Sequence, residues 1–204
     1  MHGFNAYRVV AISVAAVSLY GCSHSKFVEQ EKAVKAEWSQ VQNELQRRND
    51  LIPDLVETVR AYAPREQSAF QAVADSRVRL AGARTPRETI GAANQQSTAL
   101  ERLLAVVENY PQLKANDAFN RVTHELAGAD TRIAIERMRY NARVQQYNTS
   151  RRERPAALTA ILFNFQDYPF FLVEVPVTSR EVPKVESLKA DEVLRKGTPS
   201  DSSR

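Results

Sequence analysis

The chain has 204 residues, with 28 Lys and Arg against 24 Asp and Glu and a formal net charge of +4. Its one cysteine excludes an intramolecular disulfide, so the fold rests on packing alone. Six glycines in a chain rich in Ala, Leu, Val, Gln, Glu and Arg favour helix and argue against a β-sandwich of many tight turns.

At the N-terminus, Arg8 precedes an uncharged apolar run from Val9 to Leu19, and Tyr20-Gly21-Cys22 follow. A basic residue, an apolar stretch and a small residue at a cut site are the parts of a secretory signal peptide. The run is short of the ~20 residues that span a bilayer. Placing the lone thiol directly behind Gly21 resembles the lipobox of a bacterial lipoprotein, roughly Leu-x-Gly-Cys, with Tyr20 where a small residue is usual. That resemblance implies removal of residues 1–21, diacylglycerol on the Cys22 sulfur, and residues 22–26 as a tether. Each acyl methylene buried adds ~0.8 kcal/mol of membrane affinity, so several chains anchor where one would not. The competing readings are an ordinary signal peptide, an uncleaved anchor and a buried helix. Ser23 lacks the acidic character associated with retention in the inner membrane, which points to the outer membrane or its periplasmic face. What remains after cleavage, roughly 180 residues, fits one domain with a real core. Since Arg8 is the only charged residue ahead of Cys22, the mature charge stays near +3. Both signs are interspersed and no basic run exceeds the pair Arg151-Arg152, so nucleic acid is not the expected partner.

Helical periodicity begins at Phe27 and continues to about Ala83. Trp38, Val41, Leu45, Arg48, Ile52, Leu55, Val59 and Tyr62 recur at alternating threes and fours, the stripe of a helix packed on neighbours. Pro53 predicts a kink near Asp50, and Pro64 a second interruption, before Phe70, Val73 and Leu80 resume the stripe. Thr85-Pro86-Arg87-Glu88 has a capping residue, a first-turn proline and a Glu three residues on, which predicts a helix start. That helix runs to about Tyr110, and Pro111 punctuates it. A third long helix extends to about Arg152, with Phe119, Val122, Leu126, Ala129, Ile133, Tyr140, Val144 and Tyr147 inward. A short apolar helix follows from Pro155 to about Phe163. Phe170 to Val177 reads as extended, either a strap folded along the bundle or a strand for a partner's sheet edge. The strap is preferred because that much bare apolar surface is unusual. From about Lys184 the chain turns polar, and residues 187–204 are expected to be disordered.

Two constellations are candidates for a site. Arg48, Asn49 and Asp50 lie on or beside the first stripe, with Arg132, Glu136 and Arg139 as prospective partners. They form either a ligand pocket or, preferably, a buried polar layer that fixes helix register, since a buried charge persists only when paired. Tyr140-Asn141 and Tyr147-Asn148 repeat after seven residues and share a helix face, as a docking strip or, preferably, as rings packed between helices. His2, His24 and His124 show no zinc spacing, no Gly-rich phosphate loop occurs, and no Ser has a nucleophile-elbow context. No catalytic residue, metal or cofactor is therefore assigned.

Three strings carry a family resemblance: Arg47-Arg48-Asn49-Asp50-Leu51-Ile52-Pro53-Asp54-Leu55-Val56, Glu108-Asn109-Tyr110-Pro111-Gln112-Leu113-Lys114, and the run from Ala127 to Asn141 with Tyr147-Asn148 behind it. From about Phe27 to Glu186 the chain resembles the LemA family of bacterial envelope proteins. The resemblance implies an all-α antiparallel bundle of about four long helices with an extended C-terminal tail, tethered at its N-terminus. The family commonly has Thr-Glu-Asn where Ala129-Asp130-Thr131 stand, so the polar layer is expected to be rebuilt there. Arg154 replaces a usual Phe. Asn164 replaces a usual Gly, and Asn tolerates the left-handed conformation that a helix stop needs. The family brings no catalytic activity. The expected role is a lipid-anchored, non-enzymatic scaffold or adaptor for another envelope component, oligomeric state open. The alternative is a receptor for a small ligand or peptide, with its pocket around Arg48, Asn49 and Tyr140.

Overall fold

A computed structural model describes the backbone of residues 3–173 except residue 155, and the side chains from His24 onward. The thiol of Cys22, the start of the short helix at Pro155, the end of the strap at residues 174–177 and the tail 187–204 lie outside the described residues. Six helices follow in order: α1 (Gly3–Tyr62), α2 (Gln67–Gly82), α3 (Pro86–Val107), α4 (Pro111–Lys114), α5 (Asp117–Arg152) and α6 (Ala156–Leu162). No strand occurs among the described residues. The fold is an all-α antiparallel bundle, and α1, α2, α3 and α5 are its four long members.

The helix boundaries follow from local chemistry. Pro53 lies inside α1, which stays helical through it. Pro64 is where the helix ends and the single stripe divides. Ala63 N–H closes on the Val59 carbonyl at 2.9 Å, and Glu66 and Phe70 amides complete a tight reversal into α2. At the head of α3, Thr85 Oγ1 accepts from Glu88 N–H while the Glu88 carboxylate accepts from Thr85 N–H, a reciprocal capping box. The backbone amides of Arg84 and Thr85 hold the Glu88 carboxyl below its usual range. Asn116 caps α5 by accepting from Phe119 N–H, and its amide also donates to the Tyr62 hydroxyl, tying the end of α1 to the start of α5. Asn164 has φ 54°, the left-handed stop past α6 that an asparagine can supply.

Pairings across the α1–α5 seam descend on one helix as they climb on the other. Gln30 meets Ser150, Trp38 meets Tyr140, Glu44 meets Arg132, Arg48 meets Asp130 and Tyr62 meets Asn116. This is antiparallel packing along most of both helices. α2 runs back beside α1, with the Arg60 guanidinium 5.0 Å over the Phe70 ring, and α3 returns against α2, with Arg79 donating to Gln95.

The buried apolar residues fall into two clusters. The distal one gathers Ile52, Leu55 and Val59 of α1 with Phe70, Val73, Leu100, Leu103, Val107 and Leu126. The proximal one gathers Phe27, Val34, Val41 and Leu45 with Ile90, Ala93, Ile133, Tyr140, Val144, Tyr147 and Phe171. On α1 the boundary falls between Leu45 and Ile52, at Arg48 and Asn49.

Candidate functional site

Arg48 is 4% exposed, and it joins three helices. Its Nε donates to Gln96 Oε1 at 3.0 Å, Nη1 to Ser97 Oγ at 2.9 Å and to Asp130 Oδ1 at 3.2 Å, and Nη2 to the Ala93 carbonyl at 3.1 Å. Four bonds occupy a group with five N–H donors, leaving little capacity for an outside ligand. Gln96, fully buried, passes the connection on by donating to Asn49 Oδ1 at 2.8 Å. Burial pulls the Arg48 guanidinium below its ordinary pKa, and the Asp130 carboxylate acts against that pull. Asp130 is about half exposed, so the layer is dry at Arg48 and wet at its rim.

Other residues expected in this layer stand elsewhere. Asp50 is exposed and accepts from Gln46 within its own helix. Arg139 is exposed and pairs with Glu136 at 2.8 Å, one turn away. Arg132 bridges to Glu44 at 2.9 Å. Each guanidinium stays at the rim and reaches a carboxylate more covered than itself, so the arginines avoid the cost of full burial. The carbonyl that Arg48 takes belongs to Ala93 on α3. Gln96 and Ser97 were not singled out from sequence. Their signal is a polar residue at a stripe position, because Ala93, Gln96, Leu100 and Leu103 advance by threes and fours.

Tyr140 does not share a pocket with Arg48. It belongs to a second constellation, roughly 15 Å along α5 from Asp130, where the segment after α6 lies across the bundle. Asn141 donates to the Phe171 carbonyl at 3.0 Å and accepts from Phe171 N–H at 2.8 Å. Asn148 repeats the arrangement on Tyr168, at 3.0 and 3.2 Å. Each carboxamide offers a donor and an acceptor side by side, so it satisfies a whole peptide residue as a neighbouring strand would. The spacing fits: seven helical residues rise ~10.5 Å, and three extended residues span ~10 Å. Tyr140 Oη adds a bond to the Pro169 carbonyl at 2.8 Å, and Asn94 of α3 donates to the Leu172 carbonyl at 3.0 Å. Phe171 is buried beneath this clasp. The segment thus lies along the bundle through residue 173.

The aromatic rings pack rather than project. Tyr140 lies 5.0 Å from Trp38, and Tyr147 stands edge-on to Tyr168 at 5.3 Å and to Phe27 at 6.3 Å. Burial pushes both Tyr140 and Tyr147 up to about 12. Tyr168 is raised further, first by burial and then because its hydroxyl donates to the Glu31 carboxylate at 3.0 Å. Lys35 holds the Glu31 carboxyl below its usual range against the opposing effect of burial, with help from Tyr168. A cavity of about 280 Å³ opens between α3 and α5, bordered by Arg48, Ser97, Glu101, Asp130 and Arg137, with Phe171 at its edge. Among the described residues no group of three His, Cys, Asp or Glu side chains could hold a metal ion.

These features define a four-helix bundle divided by a buried arginine layer and clasped by its own C-terminal segment. The chain matches the LemA family over residues 37–186 and belongs to that family. It is also similar to magnetosome protein MamQ 2 of Paramagnetospirillum magneticum, 25% identical over 197 residues that cover 84% of this chain and 72% of the relative. MamQ 1 of the same organism matches equally, and magnetosome protein MamQ of Magnetospirillum gryphiswaldense is 25% identical over 184 residues, covering 78% and 68%.

Three outcomes are expected. Arg48→Met leaves the fully buried Gln96 Oε1 without its donor and costs ~1–3 kcal/mol, whereas Asp130→Ala removes a half-exposed carboxylate from a guanidinium that keeps three other acceptors and costs less, ~1 kcal/mol; urea unfolding of both variants measures the order. Asn141→Asp keeps the acceptor for Phe171 N–H but sets a carboxylate against the Phe171 carbonyl. It costs ~1–3 kcal/mol, with amide exchange rising first in residues 165–173. Alkaline pH destabilises the fold: an unfolded phenol ionises near ~10, while Tyr140 and Tyr147 keep their protons up to about 12. Across that window the unfolded state binds fewer protons, so stability present below it falls as pH rises. Urea midpoints and tyrosinate absorbance followed together check this.

Proposed function

We propose that this chain is a lipid-anchored bacterial envelope protein, held through Cys22 with its bundle outside the cytoplasm, and that it acts as a non-enzymatic scaffold or adaptor. One observation carries the reading: the lone cysteine, preceded by a signal-like run, lies on the same helix that runs on to Tyr62 through the bundle. An anchor there is continuous with the longest element of the fold. No helix among the described residues is long and apolar enough to cross a membrane, so lipid on Cys22 would supply what the helix does not. The relatives' common name places them in the magnetosome, which supports a part in a larger bacterial assembly. A non-enzymatic role fits a polar layer whose guanidinium is occupied by Gln96, Ser97, Asp130 and Ala93. A receptor for a small ligand or peptide is the second reading, favoured by the cavity beside Asp130.

Intact mass and membrane fractionation of the full chain and of Cys22→Ser test the anchor. The expected wild-type protein has lost residues 1–21, carries acyl mass and pellets with membrane, and Cys22→Ser does none of these. Equal, unacylated masses for the two proteins would overturn it.

A further inference from the structure

Helix α6 presents its apolar side outward. Leu158, Ile161 and Leu162 share one face at the spacing of a helical turn and are 59%, 79% and 72% exposed, with Phe163 beside them at 51%. The opposite face, buried on the bundle, carries Thr159 and Ala160. A surface helix ordinarily buries its large apolar residues and shows its polar ones. A contiguous patch of this kind marks a contact surface. Elsewhere Val78 is exposed alone on α2, Ile135 and Met138 form a smaller pair on α5, and Phe170, Leu172 and Val173 are exposed along the segment that follows α6.

The location of the patch selects its partner. The His24 ring lies 4.5 Å from Phe163 and 5.8 Å from Phe165, and Phe27 lies 5.1 Å from Phe165. His24 is two helical residues, ~3 Å of rise, from Cys22. The outward face of α6 therefore stands at the level of the proposed acylation site, where an anchored bundle meets the bilayer. Charge at this end suits a lipid surface. Arg152 and Arg154 are exposed immediately ahead of α6, and Lys26 is exposed at the same end of α1. Arg151 holds one oxygen of Asp167 at 2.9 Å, and Arg152 reaches the other at 3.8 Å. Exposed carboxylates stand among these cations too: Glu153 and Asp167 beside the arginines and Glu29 one turn from Lys26. Apolar side chains flanked by arginines are the parts of an interfacial membrane contact, in which guanidinium groups stay at phosphate level while their neighbours enter the acyl boundary.

We infer that α6 is a membrane-docking foot: Leu158, Ile161, Leu162 and Phe163 insert into the interfacial layer of a bilayer containing anionic lipid, fixing the tilt of the bundle on its anchor. The inference rests on anchoring at Cys22, which brings this end of the molecule to the membrane.

The test uses the full chain processed in a bacterial host and reconstituted in vesicles of phosphatidylcholine and phosphatidylglycerol. Ile161→Cys and, as a control, Val78→Cys carry a polarity-sensitive fluorophore, and the unsubstituted chain measures any labelling at Cys22. Acyl-brominated lipid is expected to remove most of the emission at position 161 and little at position 78. Protein that floats with vesicles while position 161 stays unquenched overturns the foot and leaves the anchor standing. Protein that does not float overturns the anchor itself, and the foot with it. Emission at position 161 that shifts to the blue with rising protein density, but resists brominated lipid, assigns the patch to a second copy and also overturns the foot.

Discussion

A guanidinium at the centre of a helical bundle constrains everything around it. Arg48 cannot be left unpaired in a dry interior, because desolvating an uncompensated charge costs several kcal/mol. Its bonds to Ala93, Gln96 and Ser97 on α3 and to Asp130 on α5 are directional, so they fix the axial position and the rotation of three helices at once. The apolar residues above and below form separate clusters, and the layer is the seam between them. Leucine and valine contacts tolerate small slips of register. A forked donor reaching four acceptors does not.

The C-terminal segment obeys a different rule, one of commensurate lengths. Two turns of α5 match three extended residues, so the repeat of Asn141 and Asn148 can hold Phe171 and Tyr168 by identical pairs of bonds. The carboxamides replace the missing neighbour of a strand, which lets non-helical backbone lie against a helix without unsatisfied peptide groups. Tyr140 and Tyr147 supply the ring beside each carboxamide, one covering Trp38 and the other Tyr168. The Tyr-Asn doublet is in this sense a single device used twice.

The helices were legible because their signals are local. The capping box at Thr85 and Glu88, the stop at Asn164 and the reversal near Pro64 are each written in a few adjacent residues. Arg48 and Asn49 could be marked as unusual because they interrupt an apolar stripe. Their partners could not, since Gln96 and Asp130 are distant in sequence and nothing near them encodes which helix faces which. Arg139 and Asp50 show the converse difficulty. A long charged side chain beside a stripe can turn to the rim, and both do. The Tyr-Asn repeat announced a shared face, but its use as a backbone clasp depends on where the chain returns after α6, a matter of tertiary path.

Helix α1 also gives the molecule a measured length. From Cys22 to Tyr62 it rises roughly 60 Å at 1.5 Å per residue, and Tyr62 is bonded to Asn116 at the head of α5. Whatever restrains residue 22 therefore sets the standoff of the turn at Ala63–Glu66 and of the α3–α5 connection. A gain or loss of one helical turn would move that distal end by ~5 Å, so the bundle works as a gauge as well as a post, with the distance from its foot to its tip encoded in an unbroken helix.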